Sequence, residues 1–410
     1  MKKALEILLG IVGIICFGIL LWFGYQYARP KGSLTPTMPT QTFPNTTVSG
    51  VVSSTGNNPQ VSPYVPPEQL GGGSNRTQKI FKIANGPVAA AVFISTQSST
   101  SVARFIAQDS GHVFDQPIDS PGALARSVSN TTIPGIARAF LTNDGSAGIL
   151  QYEETGVIKS VYISLATSTT NARTSVRFLP NNIYTLALAP DGKAVAYTTI
   201  TSTGMDVYTA TIDGTNPKKI TALPVQQALL TWPSQSTLLL QTKPANETPG
   251  MLFSIAVKTG LFTPLLYSTG VSAQANATFS KIIYQTNTRG SAASYVHDTT
   301  SGKDASISFT PIPQKCAWSS TSDSVFYCAA PAIPLTYSYV DAWRAGTVSV
   351  SDALFTFNNV TGQSLAIASP GSSDGGVRSD IMQISVSSDN KYLLFITKGD
   401  RALWGVRLTQ

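Results

Sequence analysis

Residues 184–198 read Tyr-Thr-Leu-Ala-Leu-Ala-Pro-Asp-Gly-Lys-Ala-Val-Ala-Tyr-Thr, two apolar runs around Asp191-Gly192-Lys193. Asp-Gly between such runs signals a hairpin, because both residues tolerate the positive φ of a tight turn. The same pattern, apolar run, polar turn, apolar run, recurs along the chain. Its turns are centred near 99, 144, 191, 235, 279, 323 and 389. Successive spacings are 45, 47, 44, 44, 44 and 66 residues. From residue 78 onward no stretch shows the 3.6-residue period of an amphipathic helix, so the body reads as all-β.

A period near 45 residues fits the four-stranded blades of a β-propeller, which need about 40–50. The expectation is a seven-bladed β-propeller over residues 78–410, with six and eight blades left open by the uncertainty of turn positions. The last interval exceeds the period by about 22 residues, which predicts an insertion in blade six over roughly 331–352. The seventh blade shows strands near 381–386, 391–397 and 402–408 and lacks a fourth. Gln78-Lys-Ile-Phe-Lys-Ile-Ala84 has the character of the missing strand and would close the ring, removing an open sheet edge.

Ala189-Pro190-Asp191-Gly192-Lys193-Ala194-Val195-Ala196-Tyr197, with Asp206-Val207-Tyr208 and Asp213-Gly214-Thr215-Asn216 after it, resembles a WD40-like repeat of the TolB-propeller type. Ser387-Ser388-Asp389-Asn390-Lys391-Tyr392 resembles the same hairpin. The resemblance is good over one blade, partial over 140–150 and 381–397, and faint elsewhere. It implies a fold and not an activity, because such propellers serve as docking platforms, assembly factors and appendages of enzymes.

Ahead of the body, residues 1–32 read as a membrane anchor. Ile7 to Ala28 is uncharged over 22 positions, and a helix of that length spans about 33 Å, enough for a bilayer core. Trp22, Tyr25 and Tyr27 gather at its end, where aromatic rings settle at the headgroups. The run is longer than a signal-peptide core, which favours a retained anchor over a cleaved leader. Lys2, Lys3 and the free amino terminus favour a cytoplasmic N-terminus, with the propeller on the extracytoplasmic side. Residues 33–77 form the linker: within 33–75 there are seven prolines and one charged residue, Glu68. Such a segment buries too little apolar surface to fold and should act as a solvated tether.

Charge argues against a nucleic-acid partner. Of the net +7, the first 33 residues supply +3, and the remaining +4 is spread without a Lys/Arg block. Charged residues make up 12% of the chain, low for a cytosolic domain and usual for exported ones.

Chemistry is sparse. Cys316 and Cys328 flank the sixth hairpin turn symmetrically, so they should face each other across paired strands and form a disulfide. The histidines, His112 and His297, belong to no metal-binding or triad motif. Asp144, Asp191, Asp213, Asp323 and Asp389 recur in turns, a position Asp favours intrinsically, without the oxygen cluster that calcium demands. No cofactor or metal is indicated, and a small-molecule ligand is left open. Glycosylation sequons start at Asn45, Asn75, Asn130, Asn246, Asn276 and Asn359. The blade-six insertion holds Tyr337, Tyr339, Trp343 and Arg344, residue types that anchor interfaces and equally well plug a channel mouth. The sequence therefore points to an anchored scaffold that binds a protein or cell-envelope partner. The alternatives are a glycan-acting hydrolase or lyase using the channel, and a secreted or periplasmic assembly factor freed by leader cleavage.

Overall fold

The computed structural model describes residues 78–408, apart from 96–100, 120–122, 130, 166–174, 289–290, 332–338 and 369–378. The expected anchor at 7–28, the tether at 33–77 and Tyr337 lie outside the described residues. Among the described residues no helix is long and apolar enough to cross a membrane.

The sequence-decisive hairpin forms as read. Thr185–Leu188 pairs with Ala194–Thr201 in the register Leu186↔Tyr197 and Ala187↔Ala196. Gly192 takes φ 70° at the turn, and Asp191 accepts the Lys193 N–H at 3.0 Å. All seven expected hairpins open a blade, and the described strands make seven four-stranded antiparallel sheets. Blades one to six span 88–129, 136–178, 185–223, 228–269, 272–306 and 316–368. Blade seven combines 381–407 with the early strand Ile80–Ala84.

That closure pairs Ile80 with Val406, Phe81 with Gly405 and Lys82 with Trp404. It needs a glycine at 405, since a Cβ there would lie 2.5 Å from the Phe81 ring. Each blade is covered on its two faces by its two neighbours, so central strands read as unbroken apolar runs rather than alternating ones. Tyr392–Thr397 is buried at all six positions. The apolar residues divide into one cluster for each seam between neighbouring blades. Between blades three and four, for example, Met205, Val207 and Leu223 meet Leu230, Leu240 and Phe253.

Polar pins cross some seams. Arg104 makes a bidentate pair with Asp115 at 2.7 Å while its Nη1 reaches the Gly145 carbonyl of blade two at 2.6 Å. Gln241 of blade four accepts the Ala273 N–H of blade five at 2.7 Å.

Because strands alternate in direction, the links from second to third strand and from blade to blade emerge on one face. The other links emerge on the opposite face. The surplus length in blade six belongs to two links of the first kind. Residues 332–351 join its second and third strands, and 369–380 lead into blade seven. The expectation had placed the whole surplus in the former. The spacing between hairpin turns counts both links together, so it could not separate them.

Candidate functional site

The blade-six insertion builds a connected polar cluster on that face. After Pro331 the chain reaches a helix, Tyr339–Arg344, and returns to the sheet at Asp352. Tyr339 and Val340 bury against Ile312, in the link entering blade six. A short 3-10 turn, Pro313–Lys315, then delivers Lys315 to the start of the inner strand.

Lys315 is fully buried and its ammonium donates at 2.7 Å to both Asp352 and Asp380. Burial of three charges is tolerable only when each is matched and hydrogen-bonded. Asp380 also accepts the Trp343 indole N–H at 2.7 and 2.8 Å, the Ser349 hydroxyl at 3.2 Å and the Val350 N–H at 3.3 Å. Asp352 accepts the Ile381 N–H at 2.8 Å. Burial pushes the Asp352 carboxyl up to about 6, against the opposing pull of Lys315. The Trp343 ring lies 4.5 Å from the Lys315 ammonium and 4.8 Å from that of Lys398. Lys398 in turn donates to the Trp343 and Val348 carbonyls at 2.7 and 2.9 Å. Burial lowers the Lys398 pKa, with Asp380 opposing.

On its other side the helix reaches blade four, where the Asn246 N–H donates to Asp341 at 2.8 Å. Asn287 of blade five donates to the Asn246 carbonyl at 2.8 Å. The insertion is therefore tied to blades four, six and seven.

The structure thus brings Tyr339, Trp343 and Arg344 together on one short helix. Trp343 spends its N–H on Asp380 and sets its ring beside the Lys315 and Lys398 ammonium groups. Arg344 sits beside Asp341 at 3.7 Å, and burial lowers its pKa to about 10. Lys315, Asp352, Asp380 and Lys398 escaped the sequence reading. They lie in separate segments, and nothing local marks them as partners.

The disulfide expected between Cys316 and Cys328 is present, with the two residues directly paired in register and their Cα atoms 4.0 Å apart. It lines the seam between blades five and six and sits one residue from Lys315.

The turn aspartates serve their turns. Asp144, Asp213 and Asp389 each accept from a Thr or Ser hydroxyl two residues earlier and from the N–H two residues later. Asp323 accepts instead from Asn276 and Thr278 of blade five. Among the described residues no group of three or more His, Cys, Asp or Glu is placed to hold a metal ion. Two sequon asparagines, Asn246 and Asn276, are buried at 5% and 1% exposure. Near the channel a cavity of about 240 Å³ is lined by Ala91, Val92, Phe140, Gln383, Ile384 and Ser385, among others.

No protein-family model matches the sequence, and no curated protein is similar to it. Solved structures do resemble the fold. An oligogalacturonate lyase in complex with manganese superposes with a TM-score of 0.55 at 13% identity, covering 82% of this chain and 92% of the lyase. The tricorn protease gives 0.50 at 9% identity, covering 81% of this chain but 34% of the protease. TolB from Acinetobacter baumannii gives 0.40 at 11% identity over 67% of this chain and 62% of TolB. The likeness to the lyase and the tricorn protease, at such identities, concerns the fold alone, seven-bladed here, and leaves activity to be argued from the site.

Proposed function

We propose that the chain is a membrane-anchored, extracytoplasmic binding module whose partner, a protein or a cell-envelope component, docks on the face carrying the blade-six insertion. The observation that carries this reading is the fastening of the insertion. An element surplus to the blade repeat is tied down by Lys315, Asp352, Asp380 and Lys398. A pre-organised surface loses less entropy on binding than a loose one. Asp341 and Ala345–Thr347 stand at its solvent side, while Trp343 holds it from beneath.

Binding is favoured over glycan chemistry in the channel by the make-up of the inner strands. Arg138 is their one charged side chain, whereas glycoside hydrolysis works through paired carboxylates. Crosslinking capture from intact membranes tests the reading. Ala345→Arg, at an exposed position, should abolish capture with the thermal midpoint unchanged; retained capture would move the docking surface elsewhere. Topology has its own test. Protease added to intact cells should release a fragment beginning within 33–77, and complete protection until lysis would reverse the proposed orientation.

A further inference from the structure

The Lys315 ammonium lies 2.7 Å from a carboxylate oxygen of Asp352 and 2.7 Å from one of Asp380, and all three side chains are 0% exposed. The three come from rigid places. Lys315 ends the 3-10 turn Pro313–Lys315, Asp352 opens the strand Asp352–Asn358, and Asp380 immediately precedes the strand Ile381–Val386. The Trp343 ring stands 4.5 Å from the ammonium.

The two acids are held unlike one another. Asp380 also accepts from the Trp343 indole, the Ser349 hydroxyl and the Val350 N–H, so its negative charge is well supported. Asp352 accepts from Lys315 and from the Ile381 N–H, both at Oδ2. Its Oδ1 is buried and has no partner among the described residues. A proton relieves a bare buried carboxylate oxygen, and burial does push the Asp352 carboxyl up to about 6. A carboxylic acid beside an amine, shut away from water, with a second carboxylate at the same nitrogen, is what condensation to an amide requires.

We propose that Lys315 and Asp352 condense into an intramolecular isopeptide bond, with Asp380 as general base. One proton crossing from Nζ to the bare Oδ1 converts the ion pair into a free amine and a carboxylic acid. Nζ then attacks Cγ and the N–C bond forms. Negative charge gathers on Oδ2, which the Ile381 N–H already holds at 2.8 Å. Asp380 takes the proton that Nζ sheds and returns it to the Oδ1 hydroxyl. That oxygen leaves as water, and Oδ2 becomes the amide carbonyl. The balance is one amide and one water, with nothing oxidised or reduced. Reactants fixed in this way behave as if at about 100,000 M or more, and a site closed to solvent disfavours the reverse hydrolysis. The bond closes a loop of 37 residues in sequence separation around the helix Tyr339–Arg344, and it stands whether or not a partner docks there. Until it forms Asp352 is a titrating acid, so pH effects at Asp352 belong to the newly folded chain.

Mass spectrometry of the full chain in detergent, with the disulfide reduced and the sample followed from refolding onward, tests the bond. The mature protein should weigh one water less than its sequence. Trypsin should then give residues 304–344, uncut after Lys315, joined to 345–378, with fragmentation placing the junction at Asp352. Asp352→Asn should yield the same joined peptide with ammonia as the leaving group, whereas Asp352→Ala and Lys315→Met should yield none. Asp380→Asn should slow the bond about a hundredfold or more, as loss of a general base does. A wild-type chain that keeps its full sequence mass and is cut after Lys315 overturns the proposal. So does water lost elsewhere with that cut retained, or a link from Lys315 to 379–391, the peptide of Asp380. If Asp380→Asn or Lys315→Met does not fold, the wild-type mass and peptide map decide alone.

Discussion

Trp343 joins the insertion to blade seven through its two hydrogen bonds to Asp380, and its ring lies close to two ammonium groups. Trp343→Ala should lower stability by about 3–5 kcal/mol, since it removes a large side chain and leaves Asp380 short of a donor. Trp343→Phe keeps most of the bulk and should cost less, and denaturant titration of the two variants separates the terms. A second residue-scale test concerns the turns. The Thr211 and Thr215 hydroxyls hold Asp213 down at about 2, against an ordinary value of 3.8. A depressed carboxyl adds stability above its unfolded pKa and loses it as pH falls through the folded one, here from about pH 4 to 2. Thr211→Val should return the Asp213 titration toward 3.8, as read by carboxyl carbon NMR. Asp352 has the opposite sign. Raised to about 6, it contributes most below its unfolded value and nothing above about 6. Asp352→Asn should flatten the fall in stability between about pH 4 and 6.

At the scale of the element, blade six is the least regular blade and the only one stapled by a disulfide among the described residues. The bridge closes a loop of 12 residues in sequence separation, for which chain entropy gives about 2–3 kcal/mol. Replacing Cys316 and Cys328 with Ala together should lower stability by that amount and loosen the insertion, because Lys315 precedes Cys316. Both sulfurs belong to buried residues, so the native protein should resist alkylation until it is reduced and unfolded. Rapid labelling of the native, unreduced protein would overturn the pairing.

At the scale of the whole molecule, stability depends on a ring whose ends meet. Seven seams each hold an apolar cluster, and the early strand Ile80–Ala84 completes the blade that ends at Arg407. A chain beginning at residue 78 should fold with the midpoint of the full chain. One beginning at residue 86 would expose the edge of Leu403–Arg407 and uncover Phe395 and Val406, and it should melt many degrees lower and aggregate. Equal midpoints would show that the ring does not need this closure.

The number of blades, the closing strand and the Cys316–Cys328 pairing were legible because each rests on local order. Hairpin turns recur in register with the chain, and a two-strand unit places residues symmetrically about its turn. Phe279 shows how little a turn needs to be read: it bends at φ 59° without Gly, Asn or Asp at that position. The aromatic and basic residues of the insertion were visible as types, and their roles were not. Lys315 meets Asp352 and Asp380 across 37 and 65 residues, and the Asn246 N–H meets Asp341 across 95. No periodicity relates such positions, since they converge only when blades four, six and seven take their places in the ring. The sequence by itself determined the repeat and therefore the architecture. Only the tertiary structure decided which charges meet, and so set Trp343 against Asp380 and between the insertion and blade seven.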